Sequence, residues 1–278
     1  MEFKKLGRTN LEIPVLGLGT WGIGGFSSRH LGGEDKAVQA LRLGMELGMR
    51  FIDTAEMYAS GHSEEVVAMA VAGNRENVFI ATKISAHNLS YEGVLRSCEA
   101  SLKRLKTKYI DLYQIHWPNT SIPIKETMRA MEKLASEGKV CEIGVSNFSV
   151  QQTREAQEAL SKKALASNQV EYSLVDRSIE HDLLPYCVKE HVTIIAYSPI
   201  ARGHIPDGGR EERWRKLDEV AHRNGKTRTQ VALNWLICKD EVVAIPKSAN
   251  TDHVREIAGA VGWKLSESDQ AVLNKAFA

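Results

Sequence analysis

The sequence predicts an α/β fold, a (β/α)8 TIM barrel with an N-terminal β-hairpin and an extra helix before the last strand. Eight short, apolar, β-branched runs alternate with amphipathic stretches of helical period. Most successive runs begin about 30 residues apart, a spacing typical of parallel strands joined by right-handed helical crossovers. Eight such units is the number that closes a barrel. A doubly wound sheet usually has fewer strands and is the second choice.

The elements are predicted in a regular order along the chain. The strands are expected at 15–19, 51–55, 78–82, 110–116, 141–146, 167–173, 193–198 and 242–246. The helices are expected at 34–49, 62–73, 90–106, 122–138, 149–161, 180–190, 227–239 and 250–261, with the extra helix at 210–224. Before the first strand, FKKLG and LEIPV flank RTN, a pattern that favours a hairpin covering the barrel bottom. No linker divides the chain, so 1–278 is expected to be a single domain.

Composition excludes several classes of protein. The chain has 36 Lys+Arg against 35 Asp+Glu, a net charge of +1, which argues against bulk electrostatic binding to nucleic acid or to an anionic membrane. No apolar run approaches the ~20 residues that span a bilayer, and no secretory signal is visible, so a cytoplasmic protein is expected. The four cysteines lie far apart without zinc-ligand spacing, so we expect reduced thiols and no metal site. A monomer or weak homo-oligomer is expected.

Polar residues fall at the ends of the predicted strands. The C-terminal ends of parallel barrel strands share one rim, where active sites are built. Any one of these side chains could be a solvated or structural group, but together they indicate a functional site at the mouth. The strand-end residues are Asp53, Lys83, His116, Ser146, Asn147, Gln169, Tyr197 and Lys247.

Two short motifs are interpreted as decoys. Residues 17–22, GLGTWG, match the dinucleotide fingerprint GxGxxG, but the glycine-rich IGGFSSRHLGG follows where that fingerprint needs a helix. The run GVSNF at 144–148 resembles a nucleophile elbow but has Phe148 in place of the last glycine.

The motifs LGLGTW, GMRFIDTAEMY, a lysine after the third strand, HWP, EGKVCEIGVSN, AYSP and IPKS occur in this order. Together they resemble the aldo-keto reductase superfamily, and the resemblance runs from about residue 3 to about residue 272. It implies reduction of small aldehydes or ketones with NADPH/NADP+ bound across the rim. It also implies a catalytic set of Asp53, Tyr58, Lys83 and His116.

Physical chemistry gives each member of that set a role. Hydride addition to a carbonyl creates an alkoxide, which needs a proton as its charge develops. A tyrosine is a poor acid at neutral pH, so Lys83 is expected to lower the pKa of Tyr58. Asp53 would keep Lys83 charged and oriented, and His116 would hydrogen-bond the substrate oxygen. A purely structural Asp53–Lys83 pair is the competing interpretation, and it leaves Tyr58 and His116 unexplained.

The resemblance also implies the residues that contact the cofactor and the substrate. Ser146, Asn147, Gln169 and Tyr197 would hold the nicotinamide, while Lys247, Ser248 and His253 would lie at the adenosine 2′-phosphate. His253 replaces a common arginine and Ile257 a common asparagine, which puts the strength of the phosphate contact in doubt, although NADPH is favoured over NADH. The remaining cofactor contacts are expected at Thr20, Trp21, Asp53, Ser198, Pro199, Ile200 and Arg202. The substrate would meet Trp21, Tyr58, His116 and Trp117, with Phe26 and Met57 as further walls.

Two other functions fit parts of the pattern. One is a non-catalytic NADPH-sensing regulatory subunit that keeps a reductase-like barrel, and it would bind NADPH without turning over any carbonyl. The other is a Schiff-base aldolase that uses Lys83 as nucleophile. Asp53 argues against the aldolase because it would keep the amine protonated.

Overall fold

A computed structural model describes residues 1–278, and eight parallel strands form its centre. Each strand pairs with the next along the chain. Backbone hydrogen bonds of 2.8 Å from Gly17 to Ala244, and of 2.9 Å from Ala244 to Val15, join the first strand region to the last. The predicted barrel is therefore confirmed. Its strands are β3 (Leu18–Gly19), β4 (Phe51–Asp53), β5 (Phe79–Ile84), β6 (Ile110–Ile115), β7 (Val140–Ser146), β8 (Leu165–Glu171), β9 (Thr193–Tyr197) and β10 (Val242–Ala244).

Helices follow the barrel strands, and neighbouring helices pack on one another, including α1 on α10. The helix α8 between β9 and β10 confirms the predicted extra helix. Two helices lie outside the ranges predicted above, α11 (Glu267–Ala276) and α7 (His204–Asp207), and the latter is a single turn too short to show a hydrophobic period. The helices are α1 (Glu34–Glu46), α2 (His62–Val71), α3 (Tyr91–Leu105), α4 (Ile124–Ser136), α5 (Val150–Ala159), α6 (Leu183–Glu190), α7 (His204–Asp207), α8 (Glu212–Asn224), α9 (Arg228–Ile237), α10 (Thr251–Ala258) and α11 (Glu267–Ala276).

Local sequence explains where several helices begin. Ser90 Oγ accepts a hydrogen bond from the Gly93 amide at the start of α3. Ser149 and Thr227 each form a reciprocal capping box with the glutamine three residues later, at the starts of α5 and α9. These side chains satisfy amides that have no partner inside the helix, which fixes the starting residue.

The predicted N-terminal hairpin closes the bottom of the barrel. Strands β1 (Phe3–Lys5) and β2 (Glu12–Pro14) pair antiparallel, with Phe3 opposite Pro14. Leu6 and Ile13 are fully buried in an apolar cluster that includes residues of six barrel strands. Because this end is sealed by apolar side chains, a ligand can enter only at the opposite rim. The cluster contains Leu6, Ile13, Phe51, Ala81, Leu112, Ala166, Ile195, Val243 and Ile245.

None of the helices combines the length and the apolar character that a bilayer crossing requires. All four cysteines are free thiols. Burial raises the pKa values of Cys98 and Cys187 to about 12, which leaves both as unreactive core residues at neutral pH.

Candidate active site

A buried ion pair lies at the C-terminal rim of the barrel. Lys83, near the end of β5, is fully buried, and its Nζ lies 2.5 Å from Oδ1 of Asp53 at the end of β4. The same Nζ donates to the Thr54 carbonyl at 2.9 Å and to Tyr58 Oη at 3.2 Å. All three protons of the ammonium therefore have partners, which a buried cation requires.

The second oxygen of Asp53 is also occupied. Its Oδ2 accepts hydrogen bonds from Gln169 Nε2 at 2.8 Å and from Gln114 Nε2 at 3.4 Å. Two amide donors stabilise the ionised carboxylate and fix its orientation. Burial acts to lower the pKa of Lys83, but the Asp53 charge opposes it strongly enough that the pKa lies above its usual value. Lys83 therefore stays charged at neutral pH.

A strained turn carries Tyr58 over the strand ends. Residues Tyr58–Gly61 form a short 3-10 turn in which Ala59 and Ser60 have φ values of 50° and 54°. Such a left-handed backbone is unfavourable for alanine. The Ala59 amide offsets that cost by donating to the Phe26 carbonyl at 2.8 Å. The turn brings the Tyr58 ring edge-on to His116, with the ring centroids 5.5 Å apart.

The pKa of Tyr58 lies above its ordinary value of 10.0. Burial of the phenol is the main cause, the Lys83 charge lowers the pKa, and the Asp53 charge raises it. The predicted lowering effect of Lys83 is therefore present, but desolvation exceeds it, and the pKa of Tyr58 rises instead of falling. Tyr58 keeps its proton at neutral pH, the state that a proton donor needs.

His116 follows β6 and is only 8% exposed. Burial, with a smaller contribution from the Lys83 charge, lowers its pKa to about 3. The ring is therefore neutral at physiological pH and carries one N–H donor. Its Nδ1 is buried without a hydrogen-bond partner. A neutral donor beside Tyr58 suits a carbonyl oxygen as ligand.

A second group of polar side chains lies at the ends of β7, β8 and β9. Asn147, with φ of 62°, donates from Nδ2 to the His116 carbonyl and to Ser146 Oγ, both at 3.0 Å. Its Oδ1 accepts from Tyr197 Oη at 3.0 Å. Ser146 Oγ in turn donates to the Gln169 carbonyl at 2.8 Å. The structure thus brings these four predicted residues into one network beside His116.

The segment after β9 has an irregular backbone. Ser198, Ala201 and Arg202 all have positive φ, near 50°, and Gly203 has φ of 98°. Pro199 is buried, whereas Ile200 is half-buried. The Arg202 guanidinium is exposed and lies 3.4 Å from a Glu171 carboxylate oxygen.

A free cation lies where the last strand meets the first. Lys247 is exposed and has no carboxylate partner. A Cβ on Gly19 would lie 3.6 Å from its Cβ, which places Lys247 beside the end of β3. Ser248 Oγ accepts from the Asn250 amide at the start of α10, and His253 is exposed in the first turn of that helix. Ile257 is 2% exposed and belongs to the core.

Exposed apolar side chains surround the mouth. Trp21, Met57 and Trp117 are each about half exposed, and Phe26 is 64% exposed. The Trp21 and Phe26 rings pack edge to face, with centroids 5.2 Å apart. Thr20 is fully buried, and its Oγ1 accepts a hydrogen bond from Ser63 Oγ at 2.9 Å.

Sequence reasoning missed two contributors to the ion pair, Gln114 and the Thr54 carbonyl. Gln114 is a fully buried amide in the middle of an apolar strand. A polar residue inside the run IDLYQIH is a signal that could have found it. A backbone carbonyl leaves no signal in a sequence.

Comparison with known proteins supports an enzymatic interpretation of this site. The sequence profile described as "Aldo/keto reductase family" matches residues 15–277. Methylglyoxal reductase YeaE of Escherichia coli is 40% identical over 96% of this chain and 92% of its own length. Glyoxal reductase of Bacillus subtilis is 34% identical over 93% of this chain and 87% of its own length.

Solved structures give the same result. The thermostable aldo-keto reductase Tm1743, solved with the inhibitor epalrestat, superposes with a TM-score of 0.94 at 43% identity, covering 99% of this chain and 100% of its own. An aldo/keto reductase from Klebsiella pneumoniae, solved with NADP and acetate, has a TM-score of 0.87 at 36% identity, covering 98% and 94%.

Removing one partner of the buried Asp53–Lys83 pair should lower the stability of the fold. Asp53→Asn leaves the Lys83 ammonium buried without a counter-charge, so the free energy of unfolding should fall by about 3–5 kcal/mol. Lys83→Met added to Asp53→Asn removes that unpaired charge and should recover most of the loss. Urea denaturation of the wild type, both single variants and the double variant measures the coupling. Simple additivity of the two single effects would contradict the pairing.

Proposed function

Because the chain belongs to the aldo/keto reductase family, we propose that it is an NADPH-dependent oxidoreductase that reduces aldehydes or ketones to alcohols, with Tyr58 as the proton donor. The observation that carries this proposal is the 3.2 Å contact between Lys83 Nζ and Tyr58 Oη, next to a neutral His116. The unit that performs the reaction is the single domain 1–278.

Small carbonyl compounds are the proposed substrates. The mouth presents apolar side chains and His116, which suit a neutral carbonyl compound. The names of the relatives add weight, since two are called methylglyoxal reductase and glyoxal reductase. Methylglyoxal is therefore the first compound to test.

The residues on the rim fit NADPH. The Ser146–Asn147 network offers amide and hydroxyl groups suited to a carboxamide, and Gln169 Oε1 takes no hydrogen bond from the protein. Lys247 has no carboxylate partner, and Ser248 lies next to it, a cation and hydroxyl pair that suits a phosphate dianion. The residues 198–203 would hold the pyrophosphate. When bound, the nicotinamide supplies the hydride.

The protein's own residues supply the proton that the carbonyl oxygen needs. His116 donates its single ring N–H to the carbonyl oxygen and orients it toward Tyr58. Tyr58 gives its proton to the oxygen as negative charge develops there. Lys83 stabilises the phenolate that remains, because the two atoms are in hydrogen-bond contact. Asp53 keeps Lys83 protonated, which also disfavours Schiff-base chemistry at this amine.

Replacing the proton donor tests the proposal. Tyr58→Phe should lower kcat for methylglyoxal about 10²–10⁴-fold, because the hydroxyl that protonates the oxygen is removed. The affinity for NADPH should stay unchanged. Tyr91→Phe is the matched control, since the ring of this α3 tyrosine packs against Arg129 of α4 and its hydroxyl makes no hydrogen bond. The measurements are NADPH oxidation and fluorescence titration of bound NADPH.

Full activity in Tyr58→Phe would refute the assignment of the proton donor. Tight NADPH binding by the wild type without turnover of any carbonyl would instead support the non-catalytic, cofactor-sensing subunit.

Lys247 provides a test of cofactor preference. Lys247→Met should weaken NADPH binding by about tenfold, because a charge-assisted contact to the 2′-phosphate is lost, and should leave NADH binding within about twofold. Lys189→Met, at an exposed lysine of α6, is the control. Equal weakening of NADPH and NADH would show that Lys247 does not contact the 2′-phosphate.

A further inference from the structure

The residues 20–33, called here the pocket segment, carry two of the aromatic side chains at the mouth. This segment joins β3 to α1 and includes Trp21 and Phe26. Five glycines with positive φ interrupt its backbone, so regular secondary structure does not fix its position. Its position must therefore be fixed by contacts with neighbouring elements. These glycines are Gly22, Gly24, Gly25, Gly32 and Gly33.

The first turn of α2 holds both ends of the pocket segment. At one end, Ser63 Oγ donates to Thr20 Oγ1 at 2.9 Å. At the other end, His62 Nε2 lies 3.0 Å from Oε1 of Glu34, the first residue of α1. The His62 ring also packs against Gly24, where an added Cβ would lie 2.7 Å from the ring.

The middle of the pocket segment is hydrogen-bonded to the turn that carries Tyr58. Ser60 Oγ donates to the Ser27 carbonyl at 3.1 Å, next to the contact between the Ala59 amide and Phe26. The position of the two aromatic rings is thus coupled to the start of α2.

His62 makes an unusual pair of contacts. It is 3% exposed, and its Nδ1 lies 2.8 Å from Glu65 Oε2, while its Nε2 faces Glu34. An ionised carboxylate only accepts hydrogen bonds, so both contacts are favourable only if both ring nitrogens carry a proton. The geometry therefore calls for a charged imidazolium at a buried position.

Both carboxylates are held by other groups as well. Glu34 accepts hydrogen bonds from the Gly32 and Gly33 amides at 2.8 and 3.0 Å. Hydrogen bonds from its own backbone, from His62 and from Gly32 lower the pKa of Glu34 to about 2. Arg29, in the pocket segment itself, lies 3.1 Å from Glu65.

The nearby Arg104 belongs to a separate contact. It packs against Gly61 but pairs with Glu64 rather than with Glu34 or Glu65. The charged groups that face His62 are therefore Glu34 from α1, Glu65 from α2, and Arg29 through Glu65.

We propose that His62 is a positioning residue for substrate binding, whose charged imidazolium docks the pocket segment and so sets the affinity for carbonyl compounds large enough to reach Trp21 and Phe26. Replacing the His62 ring removes its contacts with Glu34, Glu65 and Gly24 and so releases the segment. The hydrogen bonds of Lys83 do not involve this cluster, so the Asp53–Lys83 ion pair stays intact when His62 is replaced. The substrate part of this inference rests on the proposed reductase function.

The kinetic test compares a large and a small dicarbonyl compound. In His62→Gln, the KM for phenylglyoxal should rise about tenfold, because one charge-assisted contact is lost, whereas the KM for methylglyoxal should change less than about twofold. The kcat values should stay the same for both. Glu34→Gln removes one of the two carboxylates with little change of shape and should act in the same direction. His222→Gln, at an exposed histidine of α8, is the matched control.

Hydrogen exchange tests the docking without reference to activity. The Gly32 and Gly33 amides are bonded to Glu34, and the His30 amide to the Gly24 carbonyl. After correction for intrinsic rates, peptides from 20–33 should exchange about tenfold faster in His62→Gln and in Glu34→Gln than in the wild type. Peptides from β5 should not change.

Unchanged exchange at 20–33 in both variants would overturn the docking role. Faster exchange with an unchanged KM for phenylglyoxal would overturn the link to substrate binding. If the wild type reduced neither dicarbonyl compound, the proposed reductase function would fail, while the exchange experiment would still decide whether His62 docks the segment.

Discussion

The buried ion pair between Asp53 and Lys83 is the interaction on which the rest of the site depends. A lone ammonium could not remain charged at this depth, because burial acts to lower its pKa. Asp53 reverses that effect, and the amides of Gln114 and Gln169 keep the carboxylate ionised and oriented. The charge of Lys83 in turn acts to lower the pKa of the neighbouring Tyr58 phenol, against the larger effect of burial.

The barrel explains how these groups come together. Asp53, Lys83, Gln114 and Gln169 are distant in sequence, but parallel strands place them at one end of the sheet. The N-terminal hairpin seals the other end with apolar side chains. The same architecture leaves the exposed apolar side chains around the mouth on loops, whereas the ion pair lies on the strands. The contacts of His62 show how one such loop is held to the barrel.

Local hydrophobic patterns along the sequence made most of the fold predictable. The strand at 78–82 was found as Phe79–Ile84, and the one at 141–146 as Val140–Ser146, because buried parallel strands are continuous apolar runs. The strand-end pattern also predicted that Asp53, Lys83 and His116 lie at one rim, since parallel barrel strands end at the same edge. The resemblance, rather than spacing, supplied Tyr58.

The pKa shifts and the long-range side-chain partners could not be predicted from the sequence, because both depend on the three-dimensional environment. The pKa of Tyr58 was expected to fall, yet burial raises it, and the extent of burial follows from packing that no local pattern encodes. The partner of His62 at Glu34 lies 28 residues earlier in the chain. Gln114 shows a polar residue in an apolar run, but its bond to Asp53 depends on strand register. Such pairings appear only when the strands and loops are assembled.

The most direct test of the account is the pH dependence of the single-turnover rate of methylglyoxal reduction at saturating NADPH and methylglyoxal. The pKa of His116 is lowered to about 3 and that of Tyr58 is raised, so neither group changes protonation near neutrality. The rate should therefore be flat between about pH 5 and about pH 9. A fall in rate within that range that is absent in His116→Gln would show that His116 titrates there and would contradict the account. A fall that follows ionisation of the Tyr58 phenol would contradict it equally.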